Sequence, residues 1–140
     1  MSVRTSARTG GNTRSDSSAF LRTVLKLDAV ASGANGVVYL ALGAALSSTL
    51  GLPTALLWPV GAFLLAWTAG LWVLATRPAV SRPLAWVVVG ANLLWAVDSV
   101  VLFAAGWYPV TVWGELVVAA QAVAVAGFAV LQYLGLRRMA

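Results

Sequence analysis

Cysteine and histidine are both absent from this chain of 140 residues. Without cysteine there can be no disulfide, thiolate metal site or redox pair, and the redox compartment leaves no trace. Without histidine there is no imidazole ligand for haem or zinc. Charge is nearly as scarce: charged residues make up 9% of the chain and hydrophobic residues 61%. That is too little polar side chain to clothe a soluble globule, so the solvent of this chain is lipid. Also missing are a nucleophile paired with a base, a metal cluster and a phosphate-cradling glycine loop, the constellations that hydrolysis or group transfer would use. Gly33-Ala34-Asn35-Gly36 sits inside an apolar segment and lacks the strand-turn-helix setting of a nucleotide loop. Neither an enzyme activity nor a cofactor or metal is therefore expected.

What the sequence does contain is four apolar segments and a strict placement of cations. All nine Lys and Arg residues lie in an N-terminal arm (Arg4, Arg8, Arg14, Arg22, Lys26), one connector (Arg77, Arg82) and the last few residues (Arg137, Arg138). The connectors 47–55 and 106–114 hold none. Basic and non-basic connections thus alternate, as the positive-inside rule requires of four spans with both termini in the cytoplasm. About 20 apolar residues cross the hydrocarbon core, and the expected spans are 27–46, 56–76, 84–105 and 112–136. The class is an all-α, multi-pass cell-membrane protein with a transmembrane domain over 20–138 and no soluble domain. The net charge of +5 flanks apolar spans and forms no patch with interleaved aromatics; it reads as topology and contact with the anionic cytoplasmic leaflet, not as nucleic-acid binding.

Residues 1–19 are rich in Ser, Thr and Gly with no apolar periodicity, and a disordered cytoplasmic arm is expected there. The alternative, an organelle transit peptide, rests on the lack of acids before Asp16; eight Arg against one Lys, with abundant Ala and Val, fits a GC-rich bacterium instead. Ser17 or Ser18 is placed to cap a short interfacial helix leading into span one. Gly51-Leu52-Pro53, Gly106-Trp107-Tyr108-Pro109, Arg77-Pro78 and Arg82-Pro83 mark the span ends. Trp58, Trp107, Tyr108 and Trp113 gather at the outer boundary and Trp72 and Trp86 nearer the inner one, as headgroup-level rings do. Trp67 and Trp95 fall near mid-membrane, as packing or as a pocket wall.

Gly33-Ala34-Asn35 recurs as Gly90-Ala91-Asn92 at an offset of 57 residues. The repeat implies two pseudo-equivalent hairpins of parallel topology about an axis along the membrane normal, and speaks against a dual-topology transporter. Ala29, Ser32, Gly33, Gly36 and Gly43 form a small-residue seam in span one, which serves packing within the bundle or an oligomer interface. The polar residues inside the spans are Asn35, Asn92, Asp98, Ser99, Gln121 and Gln132. Asp98 is the costliest there, by roughly 2.5 to 3.5 kcal/mol on insertion scales. Counting the rise from the inner ends puts Gln121 at the level of Asp98, so a buried Asp98–Gln121 hydrogen bond is expected. Asn35 and Asn92 should share a level as repeat partners. Asp28 and Glu115 fall at the two interfaces, where a solvated or capping role is ordinary.

Leu27-Asp28-Ala29 leading into Gly33-Ala34-Asn35-Gly36, then Ala75-Thr76-Arg77-Pro78, Gly90-Ala91-Asn92 and Leu131-Gln132 before Arg137-Arg138 together resemble a group of small, uncharacterised four-helix membrane proteins of actinobacteria and related bacteria. The resemblance covers most of residues 20–138. It implies topology and host class and carries no functional residue. Two functional expectations follow from the residues. One is a non-enzymatic membrane protein that packs with a partner or a second copy, or organises lipid. The other is a small proton-coupled transporter or permeation unit with Asp98 as its proton site.

Overall fold

The computed structural model describes the backbone of residues 2–139 and the side chains of residues 18–139. Four helices follow one another: α1 (Ser2–Leu50), α2 (Thr54–Thr76), α3 (Arg82–Ala105) and α4 (Val112–Met139). Each contains a stretch long and apolar enough to cross a membrane, which marks an all-helical membrane protein. The arm expected to be disordered lies, as far as Ser17, outside the residues whose side chains are described. The last three spans end within three residues of their expected limits. Helix α1 runs without a break through Leu27, the expected start of span one. No separate interfacial helix precedes it, and Ser18 accepts a hydrogen bond from Arg22 Nε at 3.2 Å.

Local chemistry explains the helix ends. Gly51 and Gly106 adopt left-handed φ angles of 72° and 62° and close α1 and α3, the conformation for which glycine carries no Cβ penalty. Ser81 caps α3 by accepting from the Leu84 N–H, and Pro83 occupies the first turn, where its missing N–H is an orphan anyway. Thr111 accepts from the Gly114 N–H at 3.1 Å and begins α4. Glu115 in the first turn of α4 and Arg137 and Arg138 in its last both complement the helix dipole.

The strongest seam is α1 on α2. Gly36 and Gly61 face each other so closely that a Cβ built on Gly36 would stand 2.9 Å from the Gly61 carbonyl oxygen. Toward the N-terminal side of this crossing, Thr68 packs against Gly33 and donates to the Ala29 carbonyl at 3.0 Å. Gly43 lies against the Trp58 ring. Gly33, Gly36 and Gly43 are thus spent inside the bundle. Helix α3 packs on α4 and α1 on α4, while α2 and α3 have no comparably close backbone contact. That gap is bridged by side chains: Phe63 stacks on Trp95 across it, centroids 5.9 Å apart, and on Trp67 of its own helix at 6.1 Å.

Two apolar clusters fill the bundle. One, toward the end that carries Arg77 and Arg137, contains Leu21, Leu25, Leu71, Leu74, Val88 and Leu136. The other, toward the far end, contains Tyr39, Leu50, Leu57, Leu64 and Val118. The basic end is closed further by Arg22, which donates to the carbonyls of Ala75 (3.3 Å) and Pro78 (2.8 Å) and to that of Arg77, so one orphan acceptor at the end of α2 and two carbonyls of the connector after it are satisfied. At the far end α1 is tied to the start of α4 by the Thr111 N–H on the Leu50 carbonyl at 3.1 Å.

Candidate functional site: a buried carboxylate beside a bundle cavity

Helix α1 turns one face inward, and Leu21, Val24, Leu25, Asp28 and Ala29 are all buried on it. Asp28 is 2% exposed, Asn92 of α3 4% and Gln132 of α4 0%. Their side chains meet. Asp28 Oδ2 accepts from Asn92 Nδ2 at 2.9 Å and from Gln132 Nε2 at 2.8 Å, and Oδ1 accepts from Ser32 Oγ at 3.1 Å. Asn92 Nδ2 also donates to Gln132 Oε1 at 3.0 Å. One carboxylate thereby joins three helices. Such groups are tolerated within a membrane only when their hydrogen bonds are made internally, and among the described residues no buried side-chain N or O lacks a partner.

Asp28 and Asn92 line a cavity of about 170 Å³ that receives side chains from all four helices. Ser32 and Asn35 of α1 and Gln121 of α4 add polar atoms, and Phe63, Trp67, Trp95 and Phe128 supply aromatic walls. A second cavity, of about 390 Å³, lies toward the far end and is bordered by Asp98, Ser99, Trp107, Tyr108 and Leu52 among others. Trp95 and Gln121 line both. The partition between them is a hydrogen-bonded one: Gln121 Nε2 donates to Asn35 Oδ1 at 3.1 Å and to the Tyr39 hydroxyl at 2.5 Å.

Several sequence expectations change here. The Asp98–Gln121 pair does not form, because the Gln121 amide is turned to Asn35 and Tyr39, and Asp98 is an exposed residue at the rim of the far cavity. Equal height does not bring the two together: six residues on from Asn92, at roughly 100° each, Asp98 lies about 120° around α3 from the face that Asn92 buries. Ser99 is closer to that face and donates to the Trp95 carbonyl of its own helix at 2.9 Å. Asp28, expected at an interface, is instead enclosed, since α1 extends the apolar packing back to Leu21. Asn35 and Asn92 line the same cavity with different partners, Gln121 for Asn35 and Asp28 and Gln132 for Asn92, and Gly33 packs on Thr68 where a Cβ on Gly90 would meet nothing within 4 Å. Ser32 serves the carboxylate in addition to lying on the small-residue seam. Trp67 and Trp95 are walls of the cavity.

No family model, curated protein or solved structure matches the chain. Among the described residues no Lys or Arg lines either cavity, whereas each is lined by one acid, Asp28 in the inner and Asp98 in the outer. The acids that line the cavities are thus kept apart from the cationic side chains of the basic end.

Proposed function

We propose that this chain is a non-enzymatic, multi-pass cell-membrane protein that binds a small solute inside its bundle, with Asp28 as the charged centre of the site. The observation that carries this reading is a carboxylate at 2% exposure that lines a four-helix cavity to which, among the described residues, no cationic side chain contributes. An intramembrane acid is costly, and a protein that keeps one beside a cavity uses it on what enters the cavity. The outer cavity, meeting the inner one at Trp95 and Gln121, is the approach. On this reading Asp98 is a rim charge that attracts solute and Asp28 takes the central role first expected of Asp98.

In the same reading both termini are cytoplasmic, the far end faces outward and the basic residues contact the anionic leaflet; the charge alternation supports this. The two hairpins descend from a duplicated unit whose halves have since diverged, which the recurrent Gly-Ala-Asn supports. Bacterial origin follows the composition and the resemblance noted above. The test is isolation of the protein in mild detergent with identification of bound small molecules. Wild type should carry a solute that Asp28→Asn, folded and equally abundant, does not. Identical small-molecule content in the two proteins contradicts the reading.

A second reading has its own support. Satisfaction of every buried side-chain N and O among the described residues is what a purely structural clamp requires, and a bundle clamped in this way would serve to pack against a partner membrane protein or a second copy, or to organise lipid. Under that reading Asp28→Asn changes stability and nothing else.

A further inference from the structure

We infer that the solute is a small organic monocation, an alkylammonium held between Asp28 and the aromatic wall of the inner cavity; this rests on the proposed solute-binding role and names its chemical class. Sign comes first. Among the described residues, Asp28 is the only ionisable one that lines the inner cavity, and the vestibule leading to it adds one acid, Asp98, and no Lys or Arg. A cation entering from the far end meets two negative groups in succession, and an anion meets none of opposite charge.

The coordination of Asp28 then separates organic from inorganic cations. A carboxylate offers about four lone-pair positions. Two on Oδ2 are taken by Asn92 and Gln132 and one on Oδ1 by Ser32, which leaves a single position on Oδ1. A hard metal ion at 2.0 to 2.6 Å would need several oxygen ligands stripped of these donors, and no group of three acids, His or Cys exists among the described residues to supply them. An ammonium needs only one acceptor and a counter-charge. Its remaining surface, C–H bonds carrying partial positive charge, suits aromatic rings. Phe63, Trp67, Trp95 and Phe128 furnish those rings, the first three as a near-parallel stack with interplanar angles of 21° and 12°.

Volume sets the size. A cavity of about 170 Å³ is close to the roughly 150 Å³ that accommodates benzene, so the cation has about five to seven non-hydrogen atoms. Ser32, which donates to Asp28 and keeps its own lone pairs free, can accept from a ligand N–H. The Gln121–Asn35–Tyr39 partition must open to admit it.

The experiment uses the full chain in lipid nanodiscs, with tetramethylammonium and its neutral, similarly shaped counterpart tert-butanol as probes, read by calorimetry and by the fluorescence of Trp67 and Trp95. Tetramethylammonium should bind saturably, tert-butanol at least roughly tenfold more weakly, and Asp28→Asn should bring the cation down to the level of the neutral probe. Phe128→Leu should weaken the cation several-fold while Asp28 is intact. If both probes bind alike and Asp28→Asn binds as wild type does, the cationic class is overturned while an internal binding site stands. If neither probe binds, the class and the solute-binding reading fall together.

Discussion

The tightest contact between helices offers the most direct test of the packing. Replacing Gly36 with Ala would place a Cβ 2.9 Å from the Gly61 carbonyl oxygen, 3.1 Å from Leu64 Cβ and 3.3 Å from Leu65 Cδ2. The first two neighbours are a backbone atom and the root of a side chain, so neither can swing away, and α2 as a whole must retreat by about half an ångström to restore ordinary contact. A gap of that order forfeits about a quarter of the attraction of each contact it opens. It also stretches the Thr68 hydrogen bond to Ala29, now 3.0 Å, toward its limit. The cost is that of overpacking, about 1 to 3 kcal/mol, and larger for Gly36→Leu. Gly70 is the control: a Cβ there meets nothing within 4 Å, and Gly70→Ala should be neutral or stabilise by up to about 1 kcal/mol through helix propensity. Thermal unfolding in detergent, followed by loss of the monodisperse species, ranks the variants. Melting of Gly36→Ala at or above wild type would refute the close α1–α2 crossing.

The remaining predictions concern the polar site, the basic end and orientation. Asp28→Leu removes three accepted hydrogen bonds, a loss of roughly 2 kcal/mol at the average intramembrane value of about 0.6 kcal/mol per bond; Asp28→Asn, which retains an acceptor, should lose about 1 kcal/mol or less, and denaturant titration orders the two. Arg22→Ala frees the carbonyls of Ala75, Arg77 and Pro78, so hydrogen exchange should quicken in the connector 77–81 and stay unchanged at the far end. Reporter fusions after Leu52 and Tyr108 should read external, and those after Val80 and Met139 cytoplasmic; a cytoplasmic signal after Tyr108 would contradict the orientation.

Helix number was legible because length, apolar runs and Pro or Gly at the ends act locally. Gly36 was legible as a small-residue position, but the Gly61 that faces it was not, since which residue of α2 meets Gly36 depends on how the two helices cross. The site was less so. Hydropathy places Asp28 at the margin of span one, yet Leu21, Val24, Leu25, Asp28 and Ser32 recur at helical spacing, and that face, followed back from Gly36, was the signal for a buried Asp28. The partners Asn92 and Gln132 lie 64 and 104 residues from it, and their meeting depends on the rotation of α3 and α4, which composition does not encode. The same rotation turned Asp98 aside. Tyr39 gains its role only because Gln121 reaches it.

The central claim is that a solute reaches Asp28 through the bundle from the far end, and the absence of cysteine makes single thiols unambiguous probes of that path. Ala91→Cys lines the inner cavity, and Val123→Cys, 73% exposed on the outside of the bundle, faces lipid in the membrane. In vesicles of known orientation, aminoethyl methanethiosulfonate added at the far end should modify Ala91→Cys and leave Val123→Cys untouched, because a thiol reacts as its thiolate and only where water reaches it. Labelling of Ala91→Cys no faster than that of Val123→Cys, from either side, would mean a sealed cavity and would contradict the account.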